Sequence, residues 1–481
     1  MENVESIYRR ILMIKYYHKY LLLLIIIFAV GVKGQDLGLV LPDIEEYQLN
    51  NGMRILISPN YESPVVYINM QINIGKIDNP KDMPGLGKSV FSQLKNATKI
   101  YPKKGQLENK LYSLGNSSGS FGAYSFDDYY STINHICLKE DTKDCIEIFS
   151  ELVRYPTFAF SNKFWKKLTQ IWAPKEIFGN RWNSTMIHVN YMFNGLLNHF
   201  NDFKKYSYTS KQEEEWFNKN IRPENITLMI SGDINYIYIK KLVNDYFGDW
   251  KSDFPMPKIV DYNINITENS GINVQFTSID DAREARIVLR KKTTDLNDSW
   301  NPAMQMAMFI FYHNRLEQVK QNIDRAGWIG WGWQQSNRMP YTEIIADMEY
   351  SYLDRFYSEL IYQFEDVSNN TITDEDLKNA VITRTNDYQN KTYNPKELND
   401  MVQYYYNQNG YSIERVAQLV DDIKAVTLDG VNAAAKKVFD PNNFVMAIAG
   451  NKDSCATFLD QFPNIEYYER AEEIRTSASS P

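Results

Sequence analysis

Residues 223–233, PENITLMISGD, give the main indication of the fold, because their pattern returns 218 residues later in residues 441–451, PNNFVMAIAGN. Proline, asparagine and glycine recur at the same three offsets, and each copy carries an apolar run typical of a strand before its glycine. Thr209 and Thr427 precede the two copies at equal distance, each placed to cap a helix. We interpret the repeat as an internal duplication.

The duplication predicts an α+β fold of two homologous domains, each an antiparallel-rich sheet with helices packed on one face. We place the N-terminal domain at residues 41–250 and the C-terminal domain at residues 271–468. Residues 251–270, with two prolines and little periodicity, are predicted to be the linker. Residues 469–481 are predicted to form a polar, frayed tail.

Local patterns outside the repeat agree with this fold class. Asn51-Gly52 between apolar runs favours a tight hairpin turn, since both residues accept positive φ. Residues 66–74 alternate between apolar and polar types, which predicts a half-buried strand. Residues 239–247 place apolar side chains on one helical face, and Gly248 follows where a C-cap glycine belongs.

The composition is that of a globular protein and excludes several other classes. Of 481 residues, 43 % are apolar and 23 % are charged, which excludes a disordered or collagen-like chain. The formal charge of −8 and the lack of a lysine–arginine block speak against a nucleic-acid partner. The three cysteines, Cys137, Cys145 and Cys455, make no disulfide framework, and whether Cys137 and Cys145 pair stays open.

The N-terminus has the features of a secretory signal peptide. Residues 21–32 form a continuous apolar run that follows several basic residues, and this run is shorter than the about twenty residues of a membrane span. We predict cleavage after Gly34, which makes residues 1–34 the signal peptide and directs the chain to the periplasm or out of the cell. An uncleaved N-terminal anchor that holds the chain at a membrane is the alternative.

Several motifs in a fixed order resemble the pitrilysin/insulinase family of zinc peptidases, which includes the mitochondrial processing peptidase. The motifs are residues 51–56 (NGMRIL), the alternating strand that ends at Gly75, residues 85–87 (GLG), residues 222–225 (RPEN) and residues 246–250 (YFGDW). The resemblance covers nearly the whole chain after the signal peptide. It implies two homologous α+β domains, which often pair with a second such pair and enclose an unfolded peptide in a chamber.

The resemblance also implies a zinc motif, His-x-x-Glu-His, in which two histidines one helical turn apart hold the metal and the glutamate is the general base. At these positions the N-terminal domain has a degenerate motif of Lys88, Phe91 and Ser92. An ammonium group repels a dication, a phenyl ring has no lone pair, and a neutral hydroxyl is a poor zinc ligand. Glu176 is the candidate for the third ligand, with an ordinary surface glutamate as the alternative. We therefore expect no bound metal.

No other group of residues in the sequence replaces this motif. His313 and Glu317 stand four residues apart on an apolar helical stretch, and His199 and Asp202 stand three apart. Such spacing favours helix-stabilising pairs, because zinc sites use three or four protein ligands.

The family grips its substrate with an arginine and a tyrosine near a glycine in the C-terminal domain, and this grip is also altered. Gln321 or Asn322 takes the position of the arginine, and Gly330 or Trp331 takes that of the tyrosine. Three tryptophans alternate with glycines in the run 327–333, GWIGWGW, for which a buried strand is the alternative interpretation. The candidates for peptide contact are Gln321, Trp328, Trp331 and Trp333.

Taken with the resemblance, these residues predict a catalytically inactive peptidase-family subunit that needs no cofactor. We expect it to pair with a catalytic zinc-peptidase subunit of the same family and to help enclose a peptide or unfolded polypeptide. Two alternatives stay open. One is an active zinc metalloendopeptidase with atypical ligands, and the other is a structural core-type subunit of a larger complex.

Overall fold

The structure of the chain, a computed structural model, describes residues 39–80, 82–83, 85–94, 96–103, 105–114, 125–158, 185, 208–254, 272–293, 301–324, 326–334, 341–408, 410–442 and 444–468. The predicted signal peptide 1–34, most of the predicted linker and the predicted tail 469–481 lie outside these residues. Glu176, His199 and Asp202 lie outside them as well.

The N-terminal half is built on a six-stranded mixed sheet. Its strands are β1 (Glu45–Gln48), β2 (Arg54–Pro59), β3 (Val65–Ile72), β4 (Ser125–Phe126), β5 (Ser131–Leu138) and β6 (Ile226–Gly232). They lie in the order β1-β2-β6-β3-β5-β4, in which β2 and β6 are parallel and all other neighbours are antiparallel. The β1–β2 hairpin turns at Asn51-Gly52, as the sequence predicts, with Gly52 at a φ of 88°.

The C-terminal half contains a second six-stranded sheet of the same design. Its strands are β7 (Asn273–Ser278), β8 (Ala285–Lys292), β9 (Gly327–Gln334), β10 (Tyr341–Met348), β11 (Val445–Gly450) and β12 (Ile465–Tyr468). The order β12-β7-β11-β8-β10-β9 repeats the first sheet at five of its positions, including the parallel pair β7 and β11. Only the edge strand that begins each order differs. In the second sheet β12 lies parallel to β7, whereas in the first sheet β1 joins β2 as an antiparallel hairpin. The topology confirms the α+β class predicted from the repeat.

Helices flank both sheets. In the first half they are α1 (Leu86–Leu94), α2 (Gln106–Ser113), α3 (Thr142–Arg154), α4 (Ser210–Asn220) and α5 (Tyr236–Phe247). In the second half they are α6 (Pro302–Ile310), α7 (Leu316–Asn322), α8 (Leu353–Ser368), α9 (Asp374–Tyr393), α10 (Pro395–Gln403), α11 (Ile413–Ala417), α12 (Leu419–Lys424), α13 (Leu428–Val438) and α14 (Lys452–Leu459). Two π-helical turns, Phe311–Arg315 after α6 and Tyr404–Gln408 after α10, interrupt the regular helices. Among the described residues, no helix has both the length and the apolar character that crossing a membrane requires.

Side-chain caps fix where the repeated helices begin. The hydroxyl of Thr209 accepts a hydrogen bond from the backbone N–H of Gln212, and that of Thr427 accepts one from Gly430. Each cap satisfies a backbone N–H group that a helix start leaves open, which stabilises the helix by about 1 kcal/mol. Gly248 ends α5 at the expected place, although its φ of −64° is that of an ordinary helical residue.

The central strands β3 and β6 of the N-terminal sheet are buried on both faces. On one face, Val66 and Met70 of β3 pack with α1, α3 and α5 in the core of this half. On the other face, the hydroxyl of Tyr67 donates to Oδ1 of Asp400 in α10 (3.0 Å), and Nδ2 of Asn69 donates to the same oxygen (3.2 Å). The prediction of a half-buried strand is therefore wrong. The alternating polar residues satisfy hydrogen bonds to a helix of the other half, which makes their burial acceptable.

The three cysteines are buried and free. Cys137 on β5 and Cys145 on α3 are neighbours, and the hydrogen bond between their thiols together with burial raises the pKa of Cys145. The structure thus places the two sulfur atoms side by side without a disulfide.

Candidate functional site

The residues of the degenerate zinc motif lie on α1, which packs against α4. Lys88 and Ser92 are exposed one helical turn apart, whereas Phe91 is only 2 % exposed. The side chain at the position that the sequence predicts for the family's general base therefore points into the core of the N-terminal half. The structure brings all three residues onto one helix but does not direct them at a common point.

Phe91 belongs to an aromatic cluster that packs α1 onto the sheet and onto α4. Its ring centroid lies 5.1 Å from that of Phe126 on β4, and Phe126 packs edge-on against Trp216 of α4 at 6.0 Å. Gly87 permits this close approach, because a Cβ atom at that position would overlap the ring of Phe126. Ring pairs in such geometry stabilise a fold by about 1 kcal/mol beyond the burial of their surface.

A buried carboxylate, which the sequence analysis missed, joins α1 to α4. Glu213 of α4 is fully buried, and the hydroxyl of Ser89 donates a hydrogen bond to its Oε1. The hydroxyl of Ser92 donates to the backbone carbonyl of Ser89 at 2.6 Å. Glu213 is followed by two further glutamates in the sequence, and this run carries no motif that would have marked it.

The residues present on α1 do not fit a zinc ion. Within the described part of the chain, no three side chains of His, Cys, Asp or Glu lie close enough together to hold a metal. Lys88 offers a cation, Phe91 a buried ring, and Ser92 a hydroxyl that already donates to the backbone. Protein zinc sites take at least three nitrogen, thiolate or carboxylate ligands. A single carboxylate such as Glu176 would not complete this set.

The two histidines among the described residues, His135 and His313, both have lowered pKa values. The ring of His313, on the π-helical turn after α6, lies 4.1 Å from that of Phe309 and 5.5 Å from that of Trp331. Burial and the nearby guanidinium of Arg384 lower the pKa of His313. Burial also lowers the pKa of His135, on β5, to about 4. Both imidazoles are therefore neutral at pH 7, and His135 is buried in the fold whereas His313 is exposed.

The tryptophan-rich run forms β9, the edge strand of the C-terminal sheet. It pairs antiparallel with β10 along its length, and no described strand pairs with its other edge. Because side chains alternate along a strand, Trp328 lies on the face opposite Trp331 and Trp333. Trp328 is 55 % exposed and Trp331 38 %, so the alternative of a buried strand is wrong. Gln321 is exposed on α7, before the strand.

Trp331 and Trp333 line a cavity of about 450 Å³, called here the β9 cavity. Its other walls come from α9, α10 and the π-helical turn that follows α10. Its apolar and aromatic lining consists of Trp331, Trp333, Tyr388, Met401, Tyr404 and Tyr405. The volume falls in the range of ligand pockets, roughly 300–1,000 Å³.

Stacking and hydrogen bonds hold the aromatic walls in place. Trp331 stacks on the buried ring of Tyr312, with centroids 4.5 Å apart and planes 8° from parallel. The hydroxyl oxygens of Tyr388 and Tyr405 lie 2.6 Å apart in a buried hydrogen bond. Burial raises the pKa of both tyrosines, so their hydroxyl groups stay neutral.

Two cations and two carboxylates complete the lining, and their formal charges cancel. They are Arg384, Lys391, Glu397 and Asp400. The guanidinium of Arg384 lies over the rings of Trp333 and Tyr388 and donates to the hydroxyl of Tyr388 at 2.9 Å. Its Nε–H group is buried and has no acceptor among the residues described. Buried donors without an acceptor are uncommon, and they mark places where a further group completes the structure.

The sequence indicates one wall of this cavity, the β9 tryptophans, but not the others. Trp331 and Trp333 were candidates for peptide contact, whereas Trp328 and Gln321 do not line the cavity. The tyrosines come from helices far along the chain, and their single local signal is the run of three tyrosines at 404–406. A run of aromatic residues is more often core packing than a ligand site, so it predicts no cavity by itself.

Comparisons with known proteins agree with this architecture. A family model described as the peptidase M16 inactive domain matches residues 207–383. The probable zinc protease PqqL of Haemophilus influenzae is 22 % identical over 264 residues, which cover 48 % of this chain and 27 % of that protein. The structure is similar to that of the periplasmic protease PqqL of Escherichia coli, with a TM-score of 0.67 and 14 % identity over 92 % of this chain and 51 % of that chain. An M16 inactive domain from Pseudomonas fluorescens gives a TM-score of 0.71 and 14 % identity over 85 % of this chain and 98 % of that chain.

The chain thus spans about half of the Escherichia coli protein and a smaller share of its Haemophilus influenzae relative. The matched segment of the family model runs from α4 to α9, across the boundary between the two halves. Together with the ordered sequence motifs and the duplicated sheets, these matches support the resemblance of the chain to the pitrilysin/insulinase-like peptidases.

Proposed function

We propose that this chain is a catalytically inactive, peptidase-like subunit that binds an extended polypeptide beside a catalytic zinc-peptidase subunit of the same family. The observation that carries the proposal is the burial of Phe91 against Phe126, at the position of the family's general base. A zinc peptidase needs a metal-bound water and a group that accepts its proton. A phenyl ring in a hydrophobic cluster supplies neither.

Small side-chain movements would not restore such a site on α1. Lys88 and Ser92 face solvent while Phe91 faces the core, so the three side chains point away from any shared ligand position. Moving the phenyl ring out of its cluster would remove packing that stabilises comparable cores by about 3–5 kcal/mol. The fold therefore favours the inactive arrangement of this helix.

Binding of an extended polypeptide is supported by the geometry of β9. An edge strand presents unpaired backbone N–H and C=O groups, and extended peptides recognise such edges by adding a strand. Trp328 and Trp331 provide exposed rings on the two faces of this strand. The similar proteins are named as proteases, which makes a polypeptide the natural class of ligand.

A longer relative indicates the size of an assembly that such a subunit would belong to. The chain covers 51 % of the Escherichia coli PqqL structure, so a second unit of similar size would complete an assembly of that length. In our proposal this unit is a separate chain with an intact His-x-x-Glu-His motif, and the two subunits enclose the polypeptide in a chamber. We place the assembly in the periplasm or outside the cell, because of the apolar run 21–32 and the periplasmic description of the Escherichia coli relative.

Metal analysis and a cleavage assay test the inactive state. We expect the purified full chain to contain no stoichiometric zinc and to leave a denatured protein substrate intact over many hours. Stoichiometric zinc that is lost in Glu176→Gln, together with cleavage that a chelator abolishes, would show an active zinc peptidase and refute the proposal.

Affinity purification from a native extract tests the partner. We expect a second chain with the intact zinc motif to co-purify, and peptide hydrolysis to appear in the complex. Recovery of the chain in a membrane complex without such a subunit would contradict the pairing and favour a structural core-type role.

A further inference from the structure

We infer that the β9 cavity receives an aromatic side chain of the bound polypeptide and so gives the binding a sequence preference. The inference rests on the proposed function, because it names the class of side chain that the same surface selects. It adds a specificity site in the C-terminal half, away from the degenerate zinc motif on α1.

The lining of the β9 cavity favours a flat, uncharged group. Five of its ten lining residues are aromatic, and the four charged ones sum to zero. An isolated charge would lose its hydration there and gain no net attraction, whereas a ring gains contact with other rings in offset or edge-on geometry. A volume of about 450 Å³ leaves room for one aromatic side chain and part of the backbone that carries it.

The position of the cavity on an edge strand explains how a polypeptide would deliver this side chain. A peptide that pairs with the open edge of β9 projects every second side chain to the face of Trp331 and Trp333. Side chains directly opposite one another on paired strands lie about 4.5–5.5 Å apart at their Cβ atoms, which brings them into contact. A peptide aromatic residue on this face would therefore lie against the two tryptophans that line the cavity.

Two further observations mark the cavity as more than a packing gap. The buried Nε–H of Arg384 has no acceptor among the described residues, so the occupant can supply one, for example a peptide carbonyl. Both π-helical turns of the described chain also meet here, since Tyr312 of the first supports Trp331 and Tyr404 of the second lines the cavity. Such turns inside helices are frequent at functional positions.

Two matched peptides test the inference. Each is a blocked, dye-labelled ten-residue chain of threonine and glutamine, with phenylalanine or alanine at one central position. Fluorescence anisotropy with the full chain measures their dissociation constants. We expect the phenylalanine peptide to bind about 10- to 100-fold more tightly, as burial of one ring predicts.

Variants then assign this preference to the cavity. Glu397→Trp adds a bulky ring at an exposed lining residue without removing any packed group, and we expect it to abolish the preference for phenylalanine. Glu375→Trp, at an exposed glutamate of α9 that does not line the cavity, is the matched control and should keep the preference. Trp331→Ala should also abolish it, whereas Trp328→Ala, on the opposite face of β9, should leave the ratio of the two affinities unchanged.

The outcomes separate the inference from the proposed function. Equal binding of both peptides would overturn the inference and leave polypeptide binding in place. A preference that persists in Glu397→Trp would also overturn it, because the selecting site would then lie elsewhere. If neither peptide binds, polypeptide binding by this chain and the inference fall together.

Discussion

Replacing Phe91 tests whether α1 is a core helix or the remnant of a working catalytic helix. The ring is 2 % exposed and lies 5.1 Å from that of Phe126, so Phe91→Ala opens a void inside a packed aromatic cluster. Comparable Phe→Ala changes cost about 3–5 kcal/mol, of which the ring pair accounts for about 1 kcal/mol. Phe91→Glu should cost more, because an unpaired carboxylate would enter the same apolar surroundings.

Urea denaturation followed by circular dichroism measures these losses of unfolding free energy. Tryptophan fluorescence adds a local signal, since Trp216 packs against Phe126. Ser92→Ala is the matched control on the exposed side of the helix, and it should change the stability by less than about 0.5 kcal/mol. A loss of under about 1 kcal/mol for Phe91→Ala would refute the reasoning, because it is smaller than any well-packed core ring allows.

The remaining predictions concern the zinc motif, acid stability and the contact between the halves. The triple change Lys88→His, Phe91→Glu and Ser92→His should not create robust proteolysis in a fluorogenic peptide assay, since the substrate grip is altered too; efficient cleavage would show that this second defect was misjudged. Burial lowers the pKa of His135 to about 4, so between about pH 6.5 and 4 the unfolded chain binds a proton at this residue that the folded chain does not bind. The free energy of unfolding should therefore fall as the pH drops through this range. The loss from this group is at most about 3 kcal/mol, and urea midpoints at pH 7 and 4.5 should show a smaller difference in His135→Gln. Asp400→Ala removes the acceptor that joins α10 to β3 and should lower the thermal midpoint, with a cost of about 1–3 kcal/mol; an unchanged midpoint would mean that this contact contributes nothing.

The elements that the sequence predicted correctly are those whose signals are local. The hairpin at Asn51-Gly52 needs only a residue that accepts positive φ, and Gly52 has it. The caps at Thr209 and Thr427 need only a hydroxyl next to a helix start. Because the duplication repeats such local signals in the same order, it also predicted that one sheet design would occur twice.

The features that the sequence did not predict depend on contacts between distant segments. Alternation along β3 was interpreted as one buried and one solvated face, but Asp400 lies 333 residues after Tyr67 and covers the second face. The β9 cavity likewise needs Trp331 from an edge strand and Tyr404 from a helical segment of the same half. No pattern within either segment indicates that the two meet, since each is also compatible with ordinary core packing.

One residue of the predicted degenerate zinc motif, Phe91, is part of the packing of the N-terminal half. The sequence predicts that the metal ligands are missing on α1, and the structure shows Phe91, Phe126 and Trp216 in contact there, with Gly87 making room for the central ring. These residues depend on one another, because any side chain at Gly87 displaces Phe126 and any polar group at Phe91 is buried without a partner. Restoring the motif one residue at a time would therefore destabilise the core before it could create a ligand set. In our proposal, the inactive state is therefore maintained by the stability of the core as well as by the missing ligands.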